Sequence, residues 1–401
     1  MQISKARWVN PSILKWARER LNLIPEQVEA EAQKFRRHCY APVSAQELAE
    51  WEEGLSEPEL EHLETLSEIY WCPVGYFFMD RTPKEPLPLS FRGLAQEKAK
   101  SLSPTTHRIL RRFYELAQWT VDLIESLNIP WEVKVRPGEY TPDLALLDRI
   151  VQEKKTYFGW TKELRSRFEG NQEEAFRWWR KAIEGEGIFC FEMKLEPYEV
   201  RGASLWINSR YPFILVNRQD VEAASGRIFT LLHECAHLIT VREGIVCDFR
   251  GLQMGQSPEP FGNRFAARML LSPEELRERL REVGQDKPRE SWSDQILDEI
   301  RRPFMVSRDV VAIMLQEMGL APRDFYEKKR EQWERRKPWG RGGKRPTKKE
   351  LKLREMGYSL TNLLVQYSEH PSLPWLDVSY VLDMKVEKIA DFIQWARRSK
   401  L

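Results

Sequence analysis

Ser225-Gly226-Arg227-Ile228-Phe229-Thr230-Leu231-Leu232-His233-Glu234-Cys235-Ala236-His237-Leu238-Ile239 holds the pattern H-E-x-x-H at residues 233–237. As a helix, it sets His233 and His237 one turn apart on one face, close enough to grip one ion. Glu234 follows about 100° around the helix, within reach of a water at that ion. Cys235 points to the opposite side, toward a core. Ile228, Leu231, Leu232, Cys235, Leu238 and Ile239 leave the helix little polar surface apart from the two imidazoles and the carboxylate. Burying a neutral polar group without a partner costs roughly 2–7 kcal/mol. The trio therefore needs a reason to sit there, and a metal ion supplies one.

Zinc in a catalytic site takes three protein ligands and leaves a fourth position to water, whose pKa falls to roughly 7. Two histidines are thus one ligand short. Glu243 comes six residues after His237, but a ligand at that spacing needs a sharp reversal, and Thr240 stands where a glycine would make it. Glu259 opens a second helical stretch, 260–271, whose Phe261, Phe265, Ala266 and Met269 form an apolar stripe for packing on the first helix. A carboxylate in a helix's first turn is favoured by the helix dipole and stays ionised. Cys247 and Asp248 remain further candidates, and Glu259 is preferred.

The 401 residues have room for several domains, and a net charge of +2 with 31% charged residues assigns any nucleic-acid contact to local patches. The N-terminus lacks a signal peptide's apolar core, and no apolar run is long enough to span a membrane. The five cysteines (Cys39, Cys72, Cys190, Cys235, Cys247) are odd in number and show no C-x-x-C spacing. A soluble protein of the reducing cytoplasm is the expectation. The fifteen tryptophans recur mostly at helical spacing, as packing anchors.

Residues 1–80 read as a bundle of short helices: 12–22, 25–34, 45–53 and 57–70. Ser44 and Glu47 form a capping box, and Ser56 and Glu59 repeat its spacing. A proline-rich connector covers 81–102. A long amphipathic helix follows over 104–127, ended by Pro130, and two more lie around 144–158 and 173–184. Alternating runs at 187–195, 198–209 and 212–216 then predict a small antiparallel sheet leading directly into the H-E-x-x-H helix. Ser272 and Glu275 cap another helix. Residues 326–349 are a basic run, Lys328-Lys329-Arg330 through Lys349, interleaved with Trp333 and Trp339 and expected as a solvated linker. Helical spacing returns over 350–401. The fold class is α+β, mostly helical, with a core domain over 103–325.

Two resemblances refine this. The landmarks Trp16-Ala17-Arg18, Trp51-Glu52-Glu53-Gly54, Leu63, Leu66, Tyr70 and Pro73 to Phe78 resemble the XRE-like helix-turn-helix of phage repressors. Against DNA binding, residues 43–69 carry nine glutamates and no lysine or arginine, so the segment in the recognition-helix position, 44–53, would repel phosphates. A scaffold or protein-docking role is the better expectation. Further on, Arg227-x-Phe229-Thr230-Leu231-x-His233-Glu234-x-x-His237 and Glu259-x-x-Gly262-Asn263-Arg264-Phe265-Ala266-Ala267 resemble the ImmA/IrrE family of metallopeptidases. Arg201-Gly202-x-Ser204-Leu205-Trp206 and Ile214-x-x-Asn217 do so too. Gly262 stands where that family usually has alanine, and Ala236 where it has glycine. The resemblance implies a zincin-like fold, zinc or alternatively manganese, His233, His237 and Glu259 as ligands, and Glu234 as general base. It also implies an endopeptidase that cleaves an XRE-type repressor in stress response or mobile-element control. The alternative is a non-proteolytic DNA- or protein-binding regulator with a structural metal. Tyr211, Arg227 and Arg264 are the candidates for stabilising an oxyanion.

Overall fold

A computed structural model describes residues 9–21, 23–33, 41–70, 72–82, 102–168, 170–196, 199–219, 224–240, 245–248, 259–334 and 346–399. The chain divides into two compact units, Met1–Pro88 with Gln96–Arg108 and Leu89–Ala95 with Ile109–Leu401. Among the described residues no helix is long and apolar enough to cross a membrane.

The first unit contains helices α1 (Pro11–Glu19), α2 (Pro25–Ala32), α3 (Ala45–Glu52) and α4 (Leu60–Tyr70), followed by a 3-10 turn at Val74–Phe78. Local chemistry starts each of the first three. Asn10 caps α1 by accepting the Ser12 N–H at 3.1 Å, and Pro25 sits in the first turn of α2, where its missing N–H costs nothing. Ser44 and Glu47 form the expected capping box on α3, with bonds of 3.2 and 3.1 Å. The helix expected from Glu57 starts instead at Leu60, because the Ser56 hydroxyl donates to Glu50 at 3.4 Å and does not cap. Leu14, Val28, Leu48, Leu63, Leu66 and Phe77 form the core. Each such side chain contributes about 1.5–3 kcal/mol by leaving water.

The second unit is built on a four-stranded sheet: β1 (Phe189–Met193), β2 (Val200–Ile207), β3 (Tyr211–Asn217) and β4 (Ile245–Asp248), in the order β1-β3-β2-β4. Asn208 and Ser209 turn the β2–β3 hairpin with φ of 54° and 53°, the positive values that a tight hairpin turn requires. The antiparallel sheet expected from the alternation holds for β2–β3 and β2–β4. β1, however, pairs parallel with β3, so the sheet is mixed. Alternation reports which face a side chain takes and carries no information on strand direction.

Helices surround this sheet. α5 (Pro104–Ser126) sets Phe113 edge-on to Phe191 of β1, with ring centroids 6.0 Å apart. α6 (Leu147–Phe158), a short α7 (Lys162–Ser166) that sequence spacing does not announce, and α8 (Gln172–Glu184) precede β1. α9 (Ala224–Thr240) is the H-E-x-x-H helix and is buried along its whole length. It packs on α8, on β2 and β3, and on α10 (Glu259–Leu270). α11 (Pro273–Glu282) starts on the expected Ser272–Glu275 capping box. α12 (Asp294–Arg301) and α13 (Arg308–Glu317) follow.

The basic run expected as a solvated linker over 326–349 opens in a helix. Phe325–Glu334 is a helix, α14, whose Phe325 and Tyr326 are buried. Lys329 Nζ donates to Asp294 at 2.9 Å and Arg330 to the Tyr326 hydroxyl at 2.8 Å, so two charges of the run are engaged in packing. Residues 335–345 lie outside the described residues. The C-terminal helices are α15 (Lys348–Tyr367), α16 (Trp375–Leu382) and α17 (Val386–Arg398), and α15 packs along β1.

Candidate metal centre

α9 delivers what its sequence requires. His233 and His237 face each other with their Nε2 atoms 2.9 Å apart and their rings nearly perpendicular, at 82°. Both are almost wholly buried, and Glu234 beside them is fully buried. An ion bound by nitrogen at about 2.0–2.1 Å spans two atoms at that separation. Soft-to-borderline imidazoles with an adjacent carboxylate form a donor set that suits zinc. The residues therefore fit the group.

Two glycines make room for the trio. A Cβ on Gly202 of β2 would lie 2.7 Å from Glu234 Oε1, 2.8 Å from Thr230 Cγ2 and 2.9 Å from the Leu215 carbonyl oxygen of the next strand. The strand presses its bare backbone against the carboxylate, and only glycine leaves that space. A Cβ on Gly262 of α10 would come 3.0 Å from both Cε1 and Nδ1 of His233. The first turn of α10 therefore lies directly on the His233 ring. Glu259 is the first residue of that helix, three positions before Gly262 and so on the same face.

The side chain of Glu259 lies outside the described residues, as do Glu243 and the side chains of Cys247 and Asp248 on β4. Among the described residues no group of three His, Cys, Asp or Glu is gathered for a metal. Cys235 faces away from the histidines, among Leu232, Ile239 and Phe265, and burial pushes its thiol up to about 12. It is a core residue, as its place on the helix predicts.

The oxyanion candidates fare unequally. Arg227 is committed elsewhere: its guanidinium donates to Glu192 Oε2 at 2.8 Å and to Glu173, and lies over the Phe176 ring at 4.6 Å. Arg264 pairs with Glu317 at 3.0 Å. Tyr211 is buried at the start of β3, its ring beneath Arg210.

Two buried imidazoles and a buried acid on one helix, roofed by a glycine-bearing strand and a glycine-bearing helix start, define the centre. Residues 183–316 match the family Peptidase_M78, the IrrE N-terminal-like domain. No curated protein and no solved structure matches the chain. The matched stretch opens in the last turn of α8 and closes at the end of α13, enclosing the sheet, α9 and α10. α14 to α17 lie beyond it.

Sequence reasoning overlooked Glu192 and offered Arg227 a different role, yet together these residues hold the helix in place. Glu192 stands alone among Phe189, Cys190, Phe191 and Met193 on a buried strand, and Arg227 stands in the first turn of a buried helix. Two isolated opposite charges in apolar elements are a signal that they meet, and they do.

Proposed function

We propose that the chain is a cytoplasmic metal-dependent endopeptidase of regulatory type, with His233, His237 and Glu259 holding zinc, or alternatively manganese, and Glu234 as general base. The observation that carries the reading is the 2.9 Å approach of the two buried Nε2 atoms beside the buried Glu234 carboxylate. The Gly262 backbone on the His233 ring supports Glu259 as third ligand, because it brings the start of α10 to the histidines. When bound, the metal supplies Lewis-acid polarisation of a peptide carbonyl and of a water. Glu234 takes the attacking water's proton and returns it to the leaving amine. Burial within α9 and against β2 fixes the carboxylate for both transfers and keeps bulk solvent from competing.

The substrate we infer is an XRE-type repressor, cleaved in stress response or mobile-element control. In this reading the first unit docks protein and does not read DNA. α3 carries Glu47, Glu50 and Glu52 and no basic residue, and Glu52 is held by Arg18 at 2.7 Å. A gel-shift series across salt checks this, the expected result being no salt-sensitive DNA binding.

The enzymatic test is zinc content together with cleavage of a co-encoded repressor. Glu234→Gln is expected to bind the metal and not cut, and His233→Ala to lose both. Cleavage by Glu234→Gln at the wild-type rate would remove Glu234 from its role.

A further inference from the structure

Arg180 of α8 and Arg227 of α9 are both buried, and one carboxylate bridges them. Glu192 of β1 accepts from Arg180 Nη1 on Oε1 at 2.6 Å and from Arg227 Nη1 on Oε2 at 2.8 Å. The chain of charges continues outward. Arg180 Nε donates to Glu184 Oε1 at 3.1 Å, and Arg180 Nη2 donates to the carbonyls of Cys190 and Arg354, the latter at 2.8 Å. Glu184 Oε2 in turn accepts the backbone N–H groups of Tyr358 and Ser359, at 2.8 and 3.0 Å.

Those last three groups belong to α15. This helix is broken at Gly357, which has φ 78° and ψ 174°, a backbone state essentially confined to glycine. The break frees the N–H groups of residues 358 and 359 at the start of a new helical segment, and Glu184 satisfies them as a cap from another element. A Cβ at Gly357 would sit 2.5 Å from the Cys190 carbonyl oxygen and against the Glu184 carboxylate. The kink is therefore seated in the domain, with no space for a side chain. Two buried arginines stand against two buried glutamates, and half-exposed Glu173 completes the outer end at Arg227. Removing one member of such a set leaves a buried charge uncompensated.

We propose that α15, although it lies beyond the matched domain, is a positioning element of the metal centre: its kink at Gly357 closes a buried chain of charges that fixes the first turn of the metal-binding helix. The path is Gly357 to Glu184, Arg180, Glu192 and Arg227. Arg227 lies in the same rigid helix as His233, six residues ahead of it. Glu184, Arg180, Glu192 and Arg227 are positioning residues and touch no reacting atom. The consequence for the metal rests on the reading of His233 and His237 as ligands, whereas the mechanical coupling does not.

The test uses the full chain carrying Gly357→Ala, and separately Glu184→Ala and Glu184→Gln. Hydrogen exchange of the metal-free protein reads the amides of 224–240 and of 348–367, and zinc affinity is read by competition with a chromophoric chelator. Gly357→Ala and Glu184→Ala are expected to speed exchange in both segments and to weaken zinc by about tenfold or more, the scale of lost supporting bonds around a ligand. Glu184→Gln keeps an oxygen for the two N–H groups but leaves Arg180 one charge short, so it is expected to fall between wild type and Glu184→Ala in both readouts. If Gly357→Ala does not fold, the Glu184 pair decides. Faster exchange in 348–367 with 224–240 and zinc affinity unchanged would overturn the proposal. Faster exchange in both segments of the variants, with no zinc taken up by the wild-type chain, would sustain the coupling and remove the metal reading.

Discussion

Gly202→Ala adds one methyl group at the most crowded point of the centre. Its Cβ would stand 2.7 Å from Glu234 Oε1, where an unstrained contact needs about 3.5 Å, so the two groups must separate by about 0.8 Å. The strand cannot give way. The same methyl meets the Leu215 carbonyl oxygen at 2.9 Å, and Gly202 is held in register opposite Val216 of β3, although its pairing with β4 is irregular between Val200 and Gly202. Thr230, at 2.8 Å, sits one turn before Glu234 on α9 and blocks the third direction. The carboxylate therefore moves. Overpacking of this kind costs about 1–3 kcal/mol, and a displacement near 1 Å of a group that transfers protons costs on the order of a hundredfold in rate. The imidazoles are untouched, so metal should be retained. The assay is kcat on the proposed repressor substrate, alongside zinc stoichiometry and a thermal melt. The expected result is full zinc occupancy, kcat lower by about two orders of magnitude and a melt lower by roughly 2–4 °C per kcal/mol lost. Wild-type kcat with an unchanged melt would refute the claim that β2 sets the position of Glu234.

Arg227→Met leaves Glu192 Oε2 buried without its 2.8 Å partner, and a loss of about 3–5 kcal/mol is expected in denaturant unfolding. Cys235, with its thiol pushed up to about 12 by burial, should resist iodoacetamide at pH 8 in the folded chain and react once unfolded, as mass spectrometry can read. At Asp298, burial pushes the carboxyl up, but hydrogen bonds from Arg308 and Arg301 overcome this and hold it down at about 2. Its folded pKa lies below the unfolded value, so its contribution is complete above about pH 4 and disappears as pH falls through 2. The carboxylate is partly solvated, so the contribution is discounted to about 1 kcal/mol. Asp298→Asn should lose that much at pH 7 and flatten the acid limb of the stability curve.

What the chain disclosed in sequence was local. The Ser44–Glu47 and Ser272–Glu275 boxes cap the helices they announce, because both partners lie within one turn. The facing of His233 and His237 follows from helical period alone. The parallel pairing of β1 with β3 stayed hidden, since it depends on how the chain returns across the sheet. Gly202 was visible as one letter of a motif, but its contact with Glu234 joins a strand to a helix and has no local signature. The helix at the start of the basic run was concealed for a related reason. Counting charges over 326–349 passed over Phe325 and Tyr326, whose burial sets α14, while Asp294 draws in Lys329.

Anomalous diffraction from crystals of the zinc-loaded chain tests the central claim most directly. The account predicts one zinc peak within about 2.0–2.2 Å of Nε2 of His233, Nε2 of His237 and a carboxylate oxygen of Glu259. A peak away from the two imidazoles, or one at the histidines with Glu259 turned from it, would contradict the account.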